Sequence, residues 1–111
     1  MKKYPNPRLE HQASFLHSLA QAHSQPRLRK QMLQHANKDQ INAVSEIVLN
    51  TLKNNVPLSP PLMARLRRYK EPLRQVSHRR TSLSRRRNTL LQQKGKGFWL
   101  GFKDLCHCVL P

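Results

Sequence analysis

Acidic side chains are scarce: the chain has five, Glu10, Asp39, Glu46, Glu71 and Asp104, among 111 residues. So few carboxylates leave little material for acid–base catalysis, and no nucleophile and base stand at a recognisable spacing. Glycine is scarcer still. Gly95, Gly97 and Gly101 all fall near the end, so no Gly-rich loop can cradle a nucleotide phosphate. These absences argue against an enzyme and imply no cofactor. Cysteine is limited to Cys106 and Cys108, with only His107 between them. That spacing is too short for an unstrained disulfide and argues mildly for a reducing compartment. It is also too short for one half of a structural zinc site, whose ligand pairs stand two to four residues apart and need a second pair. Free thiols and no metal are expected. No apolar run approaches the roughly 20 residues that span a bilayer. The start, Met1-Lys2-Lys3-Tyr4-Pro5, leads into no secretory signal. The expectation is a soluble or anion-bound protein, not an integral membrane one.

What the chain has is positive charge. Its net charge is +16 and its isoelectric point is near 11.4. Residues 65–96 hold twelve bases, Arg65, Arg67, Arg68, Lys70, Arg74, Arg79, Arg80, Arg85, Arg86, Arg87, Lys94 and Lys96, against one acid, Glu71. Like charges at this density repel, and a polyanion beside them relieves the repulsion while releasing its own condensed counterions. Arginine suits the task because its planar fork donates two bonds to one phosphate. These twelve residues are the candidate nucleic-acid contacts, with non-specific binding the default: base reading needs side chains held rigidly in a groove.

Length allows one small domain with tails, and an apolar content of 37% predicts a modest core. Three segments differ in composition. Residues 1–38 are weakly patterned; residues 39–93 carry clear helical spacing and read as a basic helical core module; residues 94–111 form a Gly- and aromatic-rich tail. Leu9, Ala13, Leu16 and Ala20 share a stripe that predicts a first helix, closed before Pro26. Pro26 then opens a second with Leu28, Met32, Leu33 and Ala36 inward. Ile41, Val44, Val48 and Leu52 mark a third helix, capped by Asn37 and Gln40, with Asp39 the alternative cap. Ser59-Pro60 starts a fourth, with Leu62, Met63, Leu66 and Tyr69 on one side, and Leu73 and Val76 follow Pro72. Ser82 caps a last helix over residues 83–93, mostly facing solvent or ligand. No run alternates as a strand does, so the class is all-α: a small helical bundle or hairpin of basic helices with poorly ordered termini. The compact part is expected to be two helices, residues 41–66.

Three further readings stand beside these. The third and fourth helices could form a sequence-specific helix-turn-helix, although their connector, residues 54–58, is long for that motif and lacks Gly. The cluster Phe98-Trp99-Leu100-Gly101-Phe102 is either a plug against the core or a docking or membrane contact made by Phe98, Trp99, Leu100 and Phe102. In the second case the protein is a membrane-active or capsid-docking peptide.

The order Ser45-Glu46-Ile47-Val48-Leu49-Asn50, Asn55-Val56-Pro57-Leu58-Ser59-Pro60, Leu66-Arg67-Arg68-Tyr69-Lys70, Ser82-Leu83-Ser84-Arg85-Arg86-Arg87 and Leu90-Leu91-Gln92-Gln93-Lys94-Gly95 resembles one family. It is the small basic, minor core (mu-like) protein family of adenovirus-like elements: adintoviruses, Polinton (Maverick) transposons and integrated copies in animal genomes. The resemblance covers about half the chain. It implies a DNA-packaging and condensing protein of a virion core or a nucleus. DNA would be a more natural partner than RNA, and capsid or other core proteins would be further partners. The chain departs from the family at its end. Relatives carry Gly-Gly, then Phe and a long apolar tail, a place suited to a maturation protease. Here the pair is split as Gly95-Lys96-Gly97 and the tail holds Lys103, Asp104 and His107. Neither cleavage nor a membrane role is carried over.

Overall fold

Asn37 opens the longest helix of the first half. In the computed structural model, which describes residues 7–53, 58–78 and 80–110, its side chain accepts from the Gln40 amide at 2.8 Å. The Gln40 side chain accepts from the Asn37 amide at 2.9 Å. This reciprocal box satisfies two amides that a helix start leaves without partners. Ser59 and Ser82 act alike, their hydroxyls accepting from the amides of Leu62 and Arg85, and Pro26 and Pro60 occupy first-turn positions. The resulting helices are α1 (Pro7–His11), α2 (Ala13–Gln21), a 3-10 turn (Ala22–Ser24), α3 (Pro26–His35), α4 (Lys38–Leu52), α5 (Pro60–Arg67), α6 (Lys70–Ser77), α7 (Leu83–Gln92) and α8 (Lys96–Val109). No strand occurs among the described residues, and the class is all-α. Residues 54–57 of the proposed connector, and Arg79, lie outside the described residues.

One boundary differs from expectation. The predicted first helix divides at Gln12, whose φ of −105° and ψ of 13° are not helical, and α1 turns onto α4. Pro72 belongs to a helix restart: α5 ends at Arg67 and α6 begins at Lys70. It sits in the first turn of α6, where its missing amide hydrogen would have had no helical partner.

Helix α4 runs through the middle of the molecule, packed on α1, α2, α6, α7 and α8. Ile41, Ala43, Val44, Ile47 and Val48 are all buried, more of its circumference than a single stripe covers. Two polar residues go inside with them. Ser45 and Thr51 return their hydroxyl hydrogens to the carbonyls of Ile41 and Ile47, at 3.2 and 3.0 Å, so neither leaves a donor unmatched.

The second axis of the core is α8, and this corrects the reading of residues 94–111 as a tail. Phe98, Trp99, Phe102, Leu105, Cys106 and Val109 recur every three or four residues and are all buried. Helix α8 meets α2, the 3-10 turn, α4 and α5. Its two helical glycines set the approach to the α5 end. A Cβ on Gly97 would collide with the Tyr69 hydroxyl, and one on Gly101 would lie 3.2 Å from Leu66 Cδ2. Tyr69, Phe98, Trp99 and Phe102 then form a chain of edge-to-face contacts with centroids 5.7, 5.0 and 5.5 Å apart, a favoured arrangement of ring quadrupoles.

The expected two-helix core is thus too small. Leu9, Leu16, Leu19, Leu33, Leu73, Val76 and Leu90 join the same cluster from five other helices. The radius of gyration, 12.6 Å, matches the roughly 13 Å of a folded domain of this size rather than the roughly 30 Å of an unfolded chain. In α3, Arg29 joins Leu33 on the inward side and Leu28 does not. Leu28 is 44% exposed and Arg29 only 5%. Leu52 and Met63, predicted to face inward, also remain exposed.

Candidate nucleic-acid interface

Where each base lies follows from the helix that carries it. Helix α5 turns Leu62 and Leu66 inward, and so leaves Arg65, Arg67 and Arg68 outside. Helix α6 buries Leu73 and Val76 and exposes Lys70 and Arg74. Arg80, Arg85 and Lys94 are exposed before, on and after α7. Eight of the twelve sequence-predicted cations are therefore on the surface of the α5–α7 segment. For Lys96, only its backbone place at the start of α8 is described.

Carboxylates do little to neutralise these eight. Arg65 reaches Asp104 on α8 at 3.1 Å, and Arg74 reaches Glu71 one turn away at only 4.0 Å, all four side chains being well exposed. Exposed pairs of this kind are worth about 0–1 kcal/mol and weaken with salt. The segment keeps nearly its full positive charge, mounted on short helices whose apolar sides are held by the core.

Arg86 and Arg87, read from the sequence as phosphate contacts, are half-buried and point into the molecule. Arg86 Nη1 donates to Asn42 Oδ1 at 2.9 Å and to Ser45 Oγ at 2.8 Å, joining α7 to α4. Arg87 Nη2 donates to the Ala36 carbonyl at 2.7 Å, capping the end of α3. Three consecutive residues of a helix face three directions about 100° apart, so Arg85 can look outward while its neighbours cross-link helices. Arg29, which the sequence reading passed over, is more deeply placed. Its guanidinium donates to the His23 carbonyl at 2.9 Å and lies 5.0 Å from the Trp99 ring centroid. Burial lowers its pKa from the ordinary value, while the ring face and the carbonyl compensate the charge. A signal was present: Arg29 and Leu33 stand four apart, as two inward residues of one helix must.

The proposed docking or membrane contacts Phe98, Trp99 and Phe102 are core residues, each at most 3% exposed, and Leu100 is half-buried. The plug reading holds for them because their spacing is helical and their rings pack on each other. The Trp99 indole N–H donates to the Gln93 carbonyl, which pins the entry to α8. Cys106 is buried, its Sγ donating weakly to the Leu16 carbonyl, and burial pushes its thiol pKa well up. Cys106 and Cys108 are not joined in a disulfide. Among the described residues no three His, Cys, Asp or Glu side chains gather closely enough to hold a metal ion. No described helix is long and apolar enough to cross a membrane.

Comparison with protein-family models, with curated proteins and with solved structures yields no match to this chain.

Proposed function

We propose that this protein binds nucleic acid through its phosphates, largely without reading sequence, and compacts it as a DNA-packaging protein. One observation carries the reading: Arg65, Arg67, Arg68, Lys70, Arg74, Arg80, Arg85 and Lys94 are exposed together on the α5–α7 segment, with only weak surface ion pairs to offset them. A solvated charge face would show interspersed acids, and this one has Glu71 alone within the segment. No catalytic role is assigned to any residue.

The resemblance of residues 42–98 to the minor core proteins of adenovirus-like elements supplies the setting: a virion core or a nucleus, with DNA the favoured polymer and other core or capsid proteins nearby. Membrane action through the aromatic residues is not favoured, because Phe98, Trp99 and Phe102 face inward. The regulator reading is not favoured either. Helix α5 packs on α8, and the most extensive partner of α4 is α6, so α4 and α5 do not stand as a helix-turn-helix pair.

The test is a salt titration of binding to two unrelated DNA duplexes and one RNA duplex. Eight contacts at about 0.9 each bound the slope of log affinity against log salt at about −7. Replacing Arg67, Arg68 and Arg85 with Gln should flatten that slope by about one per residue and weaken both DNA duplexes equally. Failure to bind either duplex in dilute buffer would overturn the proposal, and strong preference for one would favour a regulator.

A further inference from the structure

Away from the α5–α7 surface, a further set of basic groups lines a cavity. Helix α2, the 3-10 turn and α8 enclose a cavity of about 170 Å³, lined by His17, Gln21, His23, Lys103, Cys106 and His107, with Ala20 at its wall. Three imidazoles, an ammonium and a carboxamide line it, with Gln21 and His107 at its exposed rim, and among the described residues no carboxylate does. We propose that this cavity is a binding site for a tetrahedral oxyanion, a phosphate group, that tightens as pH falls. The site is independent of the proposed function, since no residue of the α5–α7 segment contributes to it.

The chemistry rests on which atoms can donate. His23 Nδ1 lies 3.1 Å from the Ala20 carbonyl, an acceptor, so the hydrogen of the neutral ring is on Nδ1 and Nε2 carries the lone pair. Protonation therefore falls on Nε2 and turns an acceptor into a charged donor. His17 is half-buried, as is Lys103. The thiol of Cys106 is held neutral by burial and directed at the Leu16 carbonyl, so it adds no negative charge. Among the described residues, the titratable groups of the neighbouring elements stay out of the lining: Glu10 and His11 of α1, Asp39 and Glu46 of α4, and Arg27, Lys30 and His35 of α3 do not line the cavity. Nor does Asp104 of α8, which turns to Arg65, and Arg29 is engaged with the His23 carbonyl and Trp99. Imidazoles change charge between about pH 5 and 8. Charge-assisted bonds to an oxyanion are about twice as strong as neutral ones. A metal ion would want the same nitrogens, but they are not grouped as a ligand set.

The experiment follows the imidazole signals of the full-length protein by NMR as sulfate is added at constant ionic strength. Sulfate is the first probe because its charge does not change over the range used, whereas that of phosphate does. The ring signals of His17 and His23 should shift saturably at about pH 5.5 and bind roughly tenfold more weakly at about pH 7.5. Those of His11, His35 and His78, which lie outside the cavity, should stay near their starting positions. His17→Gln and, separately, Lys103→Gln should each weaken binding several-fold with an unchanged helical circular dichroism spectrum. Parallel shifts of all the imidazoles, affinity indifferent to pH, or no effect of either substitution in a folded protein would overturn the site. Repeating the titration with inorganic phosphate and with a short DNA duplex separates a free ligand from a backbone phosphate, and saturable shifts with either support the site. Loss of the sulfate response with DNA binding intact would remove this inference and leave the proposed function standing.

Discussion

Helices α7 and α8 are neighbours in the chain and opposites in composition. Helix α7 carries Arg85, Arg86 and Arg87 and fully buries one large apolar side chain, Leu90. Helix α8 carries the aromatic cluster and supplies the largest buried side chain of the protein, Trp99. Yet each also does the other's work. Arg86 and Arg87 hold helices together, and α8 brings Lys103 and His107 to the cavity beside α2. Residue type alone therefore does not separate what stabilises this protein from what binds. Direction on the helix does, and the two contributions can be moved one at a time.

Removing the α8 anchor should have the largest effect. Trp99→Ala deletes a fully buried indole, its two edge-to-face partners and the seat of Arg29. It should cost about 3–5 kcal/mol in urea unfolding, a large part of the stability of a domain this small. A loss under about 1 kcal/mol would mean that α8 is not the second axis of the core.

The α7 arginines sharpen the contrast. Arg86→Gln removes two short bonds into α4 and should cost about 2 kcal/mol, whereas Arg85→Gln should leave stability within about 0.5 kcal/mol and weaken DNA binding instead. Equal unfolding midpoints for the two variants would erase the distinction between an inward and an outward arginine.

Cys106 provides a pH test of α8. Its raised pKa means that the folded state keeps the proton after the unfolded state, with an ordinary thiol pKa of about 8.5, has begun to lose it. The unfolded state then binds fewer protons, so stability must fall as pH rises, by up to about 1.4 kcal/mol per pH unit above that point. Stability below about pH 8 should not depend on this group. Comparing wild type with Cys106→Ala across the alkaline range isolates the contribution, since other titrating groups are shared. A matching test with a thiol reagent should modify half-buried Cys108 in the folded protein and Cys106 only after unfolding.

The smallest expected effect is at Gly101. An added methyl gains helix propensity of about 1 kcal/mol but presses on Leu66 at 3.2 Å, so Gly101→Ala should be close to neutral by thermal unfolding. Gly101→Leu, which cannot fit between α5 and α8, should not be neutral.

Much of the local structure was legible in the sequence because its causes are local. The box at Asn37 and Gln40, the caps at Ser59 and Ser82 and the proline at position 60 depend on neighbours within four residues, and all of them form. The candidate interface was legible in part. Apolar partners in α5 and α6 already determined that Arg67 and Arg74 face outward, but Arg86 and Arg87 had no such local partner. The stripe of Phe98, Phe102, Leu105 and Val109 was also present to be read. The glycines obscured it, because Gly97 and Gly101 look like breaks until Tyr69 and Leu66 are seen against them.

By itself, then, the sequence determined the helical class, the starts of α3, α4, α5 and α7, and a surplus of cations too large for any core to absorb. Only the tertiary structure decided which cations are spent inside, that Arg29 would bury in place of Leu28, and that the last helix would be central. The physical reason is range. Caps and charge counts are settled within a few residues, whereas the side of a helix that goes inside depends on partners such as Asn42, 44 residues from Arg86, that only the folded chain brings together.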